Sequence, residues 1–337
     1  MVVAGKKTVV ITMERSALFE DIFQPDIMAD LERYANVITN DTGRRLTTEE
    51  LIERSANADA LITAWGTPFV DARIVDAAPK LRIISHAAGS VKNLIDHAIW
   101  DKGIMVTNAA GAIAKYVGEF CLTATLALLR SLPAYAHGAP TEEWEASDCY
   151  GNETLFHKRV GLIGLGHTAR SFLRVLSPFE CEVVAYDPYI SPERTRELGA
   201  RLVSLEELLS TSKVISLHAP ITEETKGLLN AENLRLIQHG AAFVNTARGV
   251  LVDHDALYRE LKTGRFKAAL DVTFPEPLPV DHPLRSLPNC LITPHIAGPT
   301  KDGRRDLFKT VVDDLILFWS DQTPRNVVTK QMLATMA

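Results

Sequence analysis

Two glycines and an aspartate are the first residues of this 337-residue chain whose types and spacing suggest chemistry. Gly164-Leu-Gly166-His-Thr-Ala169 follows the strand-like run Arg159-Val-Gly-Leu-Ile and opens a stretch that can be helical. In such a turn the first glycine permits a tight bend and the second lets the backbone approach a pyrophosphate. The small Ala169 allows close helix packing, and the helix N-terminus contributes N–H groups and positive potential. Asp187 ends the next strand-like run, 18 residues beyond Ala169, where a carboxylate can bind both adenosine ribose hydroxyls. The plain alternative is a glycine-rich turn and a helix-capping Asp in an unrelated α/β protein. The strand, turn and helix in sequence, with an acid where one is needed, favour a dinucleotide. That acid would repel a 2′-phosphate, so NAD is expected over NADP, with Arg194 and Arg196 downstream as a counterweight.

The elements that must position these residues alternate nearly from end to end. Thr8–Thr12, Asn36–Thr39, Ala60–Thr63, Arg82–Ser85 and Met105–Thr107 read as strands, with helices at Ala29–Tyr34 and, capped, at Thr48–Ser55. Ala112–Leu132 reads as one long helix closed by Pro133, and Thr141–Asn152 as a polar surface excursion. A second series has strands at Arg159–Gly164, Cys181–Asp187, Val214–His218, Ala241–Thr246, Phe266–Asp271 and Leu291–Thr293. Helical stretches separate them, and Arg304–Trp319 is a last amphipathic helix. Alternation of this kind argues for parallel sheets covered on both faces, and six strands in this order fit a doubly wound dinucleotide-binding domain.

Composition narrows the classes. Hydrophobic residues make up 46% and charged residues 23%, which excludes disorder and leaves material for about two domains. A net charge of −6 offers no basic surplus for holding nucleic acid through its phosphates. Cys121, Cys149, Cys181 and Cys290 form no CxxC pair, so neither a disulfide framework nor a thiolate metal site is expected, and a reducing cytoplasm suits them. The amino-terminal residues do not read as a signal peptide. The longest apolar run, Cys121–Leu129, is short of the roughly 20 residues that span a bilayer. No membrane partner is expected.

Three polar segments fall at the carboxyl ends of later strands, where open α/β sheets bind ligands. They are Asn245-Thr-Ala-Arg248-Gly, Asp271-Val-Thr-Phe-Pro-Glu276-Pro and Thr293-Pro-His295-Ile-Ala-Gly. With the glycine turn, and in this order, they resemble the NAD-dependent D-isomer-specific 2-hydroxyacid dehydrogenases over about Ile83–Gly298. The resemblance implies an α/β fold of two Rossmann-like domains with doubly wound parallel sheets and the active site in the cleft between them. It places a substrate domain at residues 1–107, an NAD-binding domain at 108–297, and a return of residues 298–337 to the substrate domain. It also implies a homodimer, built in part on the long helix after Ala112.

The implied activity is hydride transfer between NAD(H) and C2 of a 2-oxo or D-2-hydroxy acid, with no metal. Arg248 matches the arginine that grips the substrate carboxylate, His295 the acid/base, and Glu276 the carboxylate that orients His295. Asp271 resembles the acceptor of the nicotinamide carboxamide; Thr246 and Ala247 would line the nicotinamide, and His218 the loop beside it. His167 and Thr168 would meet the pyrophosphate. Ala88, Gly89 and Ser90 occupy the substrate loop, whose backbone N–H groups would face the carboxylate opposite Arg248. Two departures stand out: Thr273-Phe-Pro alters the middle of the Glu276 segment, and Lys92 replaces an acid usual in the substrate loop. Lys92, Lys115 and Arg304-Arg305 could serve a second anionic group on the substrate, or be ordinary solvated side chains. Two rivals remain: an NAD(H)-sensing regulatory protein on this fold, and a relative that oxidises a non-carbon centre such as phosphite.

Overall fold

Strands that are buried at every position need cover on both faces, and this chain has such strands in two sheets. The computed structural model describes residues 5–138 and 151–336. They divide into two units, one running to Ile113 and resuming at Pro299–Met336, the other spanning Ala114–Gly298. Passage from one to the other falls between Ile113 and Ala114, inside a helix, where the sequence suggests Asn108.

The first unit contains β1 (Lys7–Glu14), α1 (Ala17–Ile22), α2 (Pro25–Glu32), β2 (Ala35–Asn40), α3 (Thr48–Ser55) and β3 (Ala60–Thr63). It continues with α4 (Ala72–Ala77), β4 (Ile83–His86), α5 (Ala98–Asp101) and β5 (Met105–Asn108). Its five strands are all parallel, in the order β2-β1-β3-β4-β5. β3 and β4 are buried at every residue, as expected of central parallel strands. α3 starts at a capping box in which Thr47 and Glu50 satisfy each other's backbone N–H. The short helices α1, α4 and α5 carry too few turns to show a helical period in the sequence.

The long helix α6 (Ala110–Leu129) comes next, followed by α7 (Leu132–Gly138). The expected single helix is thus broken: Ser131 adopts φ +54°, and Pro133 sits in the first turn of α7, where its missing N–H costs nothing. By length and composition α6 could cross a membrane, more than the shorter apolar run in the sequence suggests. It behaves as a core helix, burying Val117, Gly118, Cys121, Ala124, Thr125 and Leu128. The excursion expected from Thr141 lies, up to Tyr150, outside the described residues.

The second sheet is built from β6 (Arg159–Ile163), α8 (His167–Leu176), β7 (Glu182–Tyr186), α9 (Pro192–Glu197), β8 (Arg201–Leu202) and α10 (Leu205–Thr211). Beyond these come β9 (Val214–Leu217), α11 (Ala231–Leu236), β10 (Ala242–Asn245), α12 (His254–Leu261), β11 (Lys267–Leu270) and β12 (Cys290–Ile292). Seven parallel strands run in the order β12-β11-β10-β9-β6-β7-β8. The seventh, β8, has two residues and no periodicity to read. The final helix, α13 (Arg305–Trp319), returns to the first unit. There Phe308 meets Phe23 edge-on at 4.8 Å, and Leu307, Val311 and Leu315 join the core around Val9 and Ile11.

Candidate active site

The glycine turn lies at the carboxyl end of β6, the strand flanked by β7 on one side and β9 on the other. That reversal of strand order is where doubly wound sheets open a crevice. Gly164 has φ +90°, and a Cβ there would sit 3.0 Å from the backbone of His218 and Ala219, so both conformation and space demand glycine. A Cβ on Gly166 would meet nothing within 4 Å, leaving that side of the turn open. α8 begins at once, with Gly166 as an N-cap that offers no side chain. The next four helices of this unit are each capped by a side chain, from Ser191, Ser204, Asn230 and Asp253. The first N–H groups of α8 are therefore the ones left for a ligand to satisfy.

Asp187 is fixed beside them. Its carboxylate accepts the Leu165 N–H at 2.8 Å and the Tyr189 N–H at 2.9 Å, tying the end of β7 to the glycine turn. His167 is exposed in the first turn of α8, next to a half-buried Thr168. His218 is not an open loop residue. Its ring is buried, with Nδ1 3.2 Å from the Thr168 hydroxyl and Nε2 2.9 Å from that of Ser216. Burial pushes its pKa down to about 3, so the neutral ring braces the start of α8 against β9.

The three polar segments converge at the adjacent ends of β10, β11 and β12. Asn245, wholly buried, accepts the Ala247 N–H at 3.0 Å and donates to the Arg248 carbonyl at 3.1 Å, folding the turn that presents Arg248. Gly249 then passes so close to Thr273 that a Cβ would lie 2.0 Å from its carbonyl carbon. Only glycine can bring these two segments together. Arg248 is half-buried and donates to the Ala247 carbonyl at 2.7 Å; desolvation lowers its pKa, and the Glu276 carboxylate opposes that shift. The Thr246 hydroxyl lies 3.2 Å from Cys121 Sγ on α6, a thiol whose pKa burial pushes up to about 11.

His295 Nδ1 and Glu276 Oε1 are 2.6 Å apart, with both side chains about half exposed, at 49% and 44%. The His295 backbone occupies the left-handed region, φ +56°, which for a non-glycine residue must be held in place. Asp271 does the holding. Its carbonyl accepts the His295 N–H at 2.9 Å, and its buried carboxylate accepts the Thr293 hydroxyl at 2.7 Å and the N–H groups of Ile296 and Ala297 at 2.8 Å. Its side chain is thus largely committed to the loop that carries His295. Asn245 is a positioning residue whose role no motif names, although an Asn at a strand end before a tight turn is itself a signal.

In the first unit, Ala88, Gly89 and Ser90 follow β4, with Ala88 buried and the other two half-buried. Arg304 and Arg305 are engaged elsewhere, pairing with Asp21 at 2.8 Å and Asp26 at 2.6 Å. Those two cations are therefore matched by acids of α1 and α2.

Residues 122–297 match the NAD binding domain of the D-isomer specific 2-hydroxyacid dehydrogenase family. The chain belongs to that family. The matched segment of this family member runs from α6 through every residue from Gly164 to His295. The protein is 35% identical to D-3-phosphoglycerate dehydrogenase of Archaeoglobus fulgidus over 83% of its own length, and spans only 53% of that relative. It is 32% identical to glyoxylate reductase of Korarchaeum cryptofilum, over 84% of this chain and 86% of that one. The crystal structure of a phosphoglycerate oxidoreductase from Rhizobium etli aligns with a TM-score of 0.80 at 26% identity, covering 96% of this chain and 98% of that one.

Proposed function

We propose that this protein is an oxidoreductase that transfers a hydride between NAD(H) and C2 of a 2-oxo or D-2-hydroxy acid. The observation that carries the reading is the His295–Glu276 pair, 2.6 Å apart, beside Arg248 on the same sheet edge as an uncapped glycine turn. The cofactor fit rests on the open side at Gly166, the bare N-terminus of α8 and the fixed Asp187 carboxylate. Bound there, the nicotinamide supplies or accepts the hydride at C2.

The protein's own groups do the rest. The Arg248 guanidinium pairs as a fork with the substrate carboxylate and draws charge from the neighbouring carbonyl. In reduction, the His295 imidazolium gives its Nε2 proton to the carbonyl oxygen, leaving a hydroxyl and a neutral ring; oxidation runs the proton back. Glu276 holds Nδ1–H, fixing the tautomer and the orientation of the ring. Ala88, Gly89 and Ser90 offer backbone donors to the carboxylate, and Thr246 and Ala247 border the nicotinamide.

Preference for NAD over NADP follows from Asp187 and from its neighbours. Arg194 pairs with Glu197 at 2.6 Å and Arg196 with Glu193 at 3.0 Å, so neither cation stands ready for a 2′-phosphate. The described cysteines are free, in keeping with a reducing cytoplasm. A homodimer could use the half-buried Leu122, Leu126 and Ala127 of α6.

The test is loss of NADH absorbance with a panel of 2-oxo acids: glyoxylate, hydroxypyruvate, oxaloacetate, branched, aromatic and phosphono-substituted acids, with NADPH in parallel. Turnover that drops by about 10²–10⁴ in His295→Ala supports the assignment. An unaffected variant, or NADH binding without turnover of any acid, contradicts it.

A further inference from the structure

We propose that Asn108 is a positioning residue that aims two backbone N–H groups of the Ala88–Ser90 turn at a substrate carboxylate; the proposal rests on the 2-oxo acid reading above. Where β4 ends, the Ala87 N–H still donates to the Thr63 carbonyl at 2.7 Å. The next two peptides are held from one side. The Ala109 N–H donates to the Ala88 carbonyl at 2.9 Å, and the Asn108 side-chain amide donates to the Gly89 carbonyl at 2.6 Å. Both peptides are trans, and in a planar trans peptide the C=O and N–H point in opposite directions. Drawing these two carbonyls toward the end of β5 therefore turns the Gly89 and Ser90 N–H groups away from it. Neither donates to an acceptor among the described residues. Adjacent donors that share a direction form a concavity suited to an anion.

Asn108 can impose that direction because it is itself immobile. It is 6% exposed, and its Oδ1 accepts the Ala110 N–H at 3.2 Å at the start of α6. With the oxygen used there, the amide nitrogen must face Gly89. The Asn108 N–H donates to the Asn326 carbonyl at 3.2 Å. Asn326 in turn donates at 3.0 Å to Asp314, a buried carboxylate on α13 that also accepts the Arg325 N–H at 2.8 Å. The turn is thus anchored through Asn108 to the last helix of the same unit, a link between residues far apart in sequence.

Asn108→Asp tests this with almost no change of size. The variant keeps the acceptor for Ala110 but sets a carboxylate oxygen against the Gly89 carbonyl, so that peptide loses its anchor. The expected result is about a tenfold rise in KM for the 2-oxo acid and in the Kd of oxamate, a carboxylate that cannot be reduced, measured in the NADH complex. kcat should change far less, and NADH affinity not at all. An unchanged KM and oxamate Kd, or a loss confined to kcat, overturns the proposal. A second measurement needs no altered Asn108: in glycine-labelled wild-type protein, the Gly89 amide resonance, assigned by its absence from Gly89→Ala, should move downfield on saturation with oxamate. A stationary resonance overturns the proposal even if 2-oxo acids are reduced. A shifted resonance without turnover of any acid upholds the cradle and removes the dehydrogenase reading instead.

Discussion

Each sheet's first strand runs directly into a helix, and the two junctions are finished in opposite ways. In the first unit β1 leads into Glu14-Arg15-Ser16, and the Ser16 hydroxyl accepts the Phe19 N–H at 3.2 Å, so α1 caps itself. Arg15 is bound to Asp41 at 2.7 Å, which leaves little charge to spare. In the second unit β6 leads into Gly164-Leu-Gly166, and α8 starts with no side-chain cap. Both helices have the same orphan N–H groups and the same dipole. What differs is who satisfies them: a side chain in one unit, and in the other no side chain, which leaves them to the proposed cofactor. Parallel architecture alone therefore does not make a dinucleotide site, and neither does a missing cap, since α2 also starts without one; the bare start of α8 counts together with the glycine turn and Asp187.

Elsewhere the two units agree, and acid should expose the agreement with the largest effect. His86 ends β4 and His218 follows β9; both are buried, and desolvation pushes their pKa values down to about 4 and about 3. His86 Nδ1 meets the Thr63 hydroxyl at 2.9 Å, much as His218 meets Ser216. In the unfolded chain both titrate near 6.5. A depressed folded-state pKa means that the unfolded chain binds the proton first. Stability is therefore full above pH 6.5 and is lost as the pH falls toward 4 and 3. At pH 5 the loss should be about 2 kcal/mol for each ring, at about 1.4 kcal/mol per pH unit below 6.5. Urea midpoints at pH 7.5 and pH 5 should differ clearly less in a His86→Gln, His218→Gln double variant than in the wild type. Equal differences would mean that neither ring governs acid stability.

A cap supplied to α8 attacks the contrast itself. Gly166 has φ −70° and ψ −166°, ordinary extended backbone, and open space where a Cβ would go. Gly166→Ser should therefore fold and cap α8 as Ser16 caps α1. The hydroxyl would then compete for the N–H groups the cofactor needs, and NADH Kd should rise about tenfold while thermal stability holds or improves. NADH affinity equal to that of wild type, by fluorescence titration, would show that the bare cap is incidental.

How far the sequence reveals this molecule depends on the range over which each feature is decided. The glycine turn, Asp187 and the Arg248, Glu276 and His295 segments are readable because their types and local spacing are set by backbone geometry and charge. Strand positions such as Ala60–Thr63 are readable because both faces must be apolar. The break at Ser131 is not, since Pro133 suits the start of a helix as well as its end. Neither are contacts between distant parts of the chain: Arg304 with Asp21, Cys121 with Thr246, or Asn108 with Gly89. The commitment of Asp271 to its own loop is likewise hidden, because a motif names an acid and not the donors around it.

The smallest effect completes the contrast from the other side. Ser16→Ala removes the cap of α1 and leaves its N–H groups to water, which should cost about 1 kcal/mol of stability. Because no glycine turn joins β1 to α1 and Arg15 stays bound to Asp41, the uncapped helix should gain no affinity for anions. NADH Kd should match the wild type, and the loss should show only as a lower melting temperature. If Ser16→Ala instead acquired measurable phosphate binding, an exposed helix start would be sufficient by itself. The glycine turn and Asp187 would then be refinements of the cofactor site and not its condition.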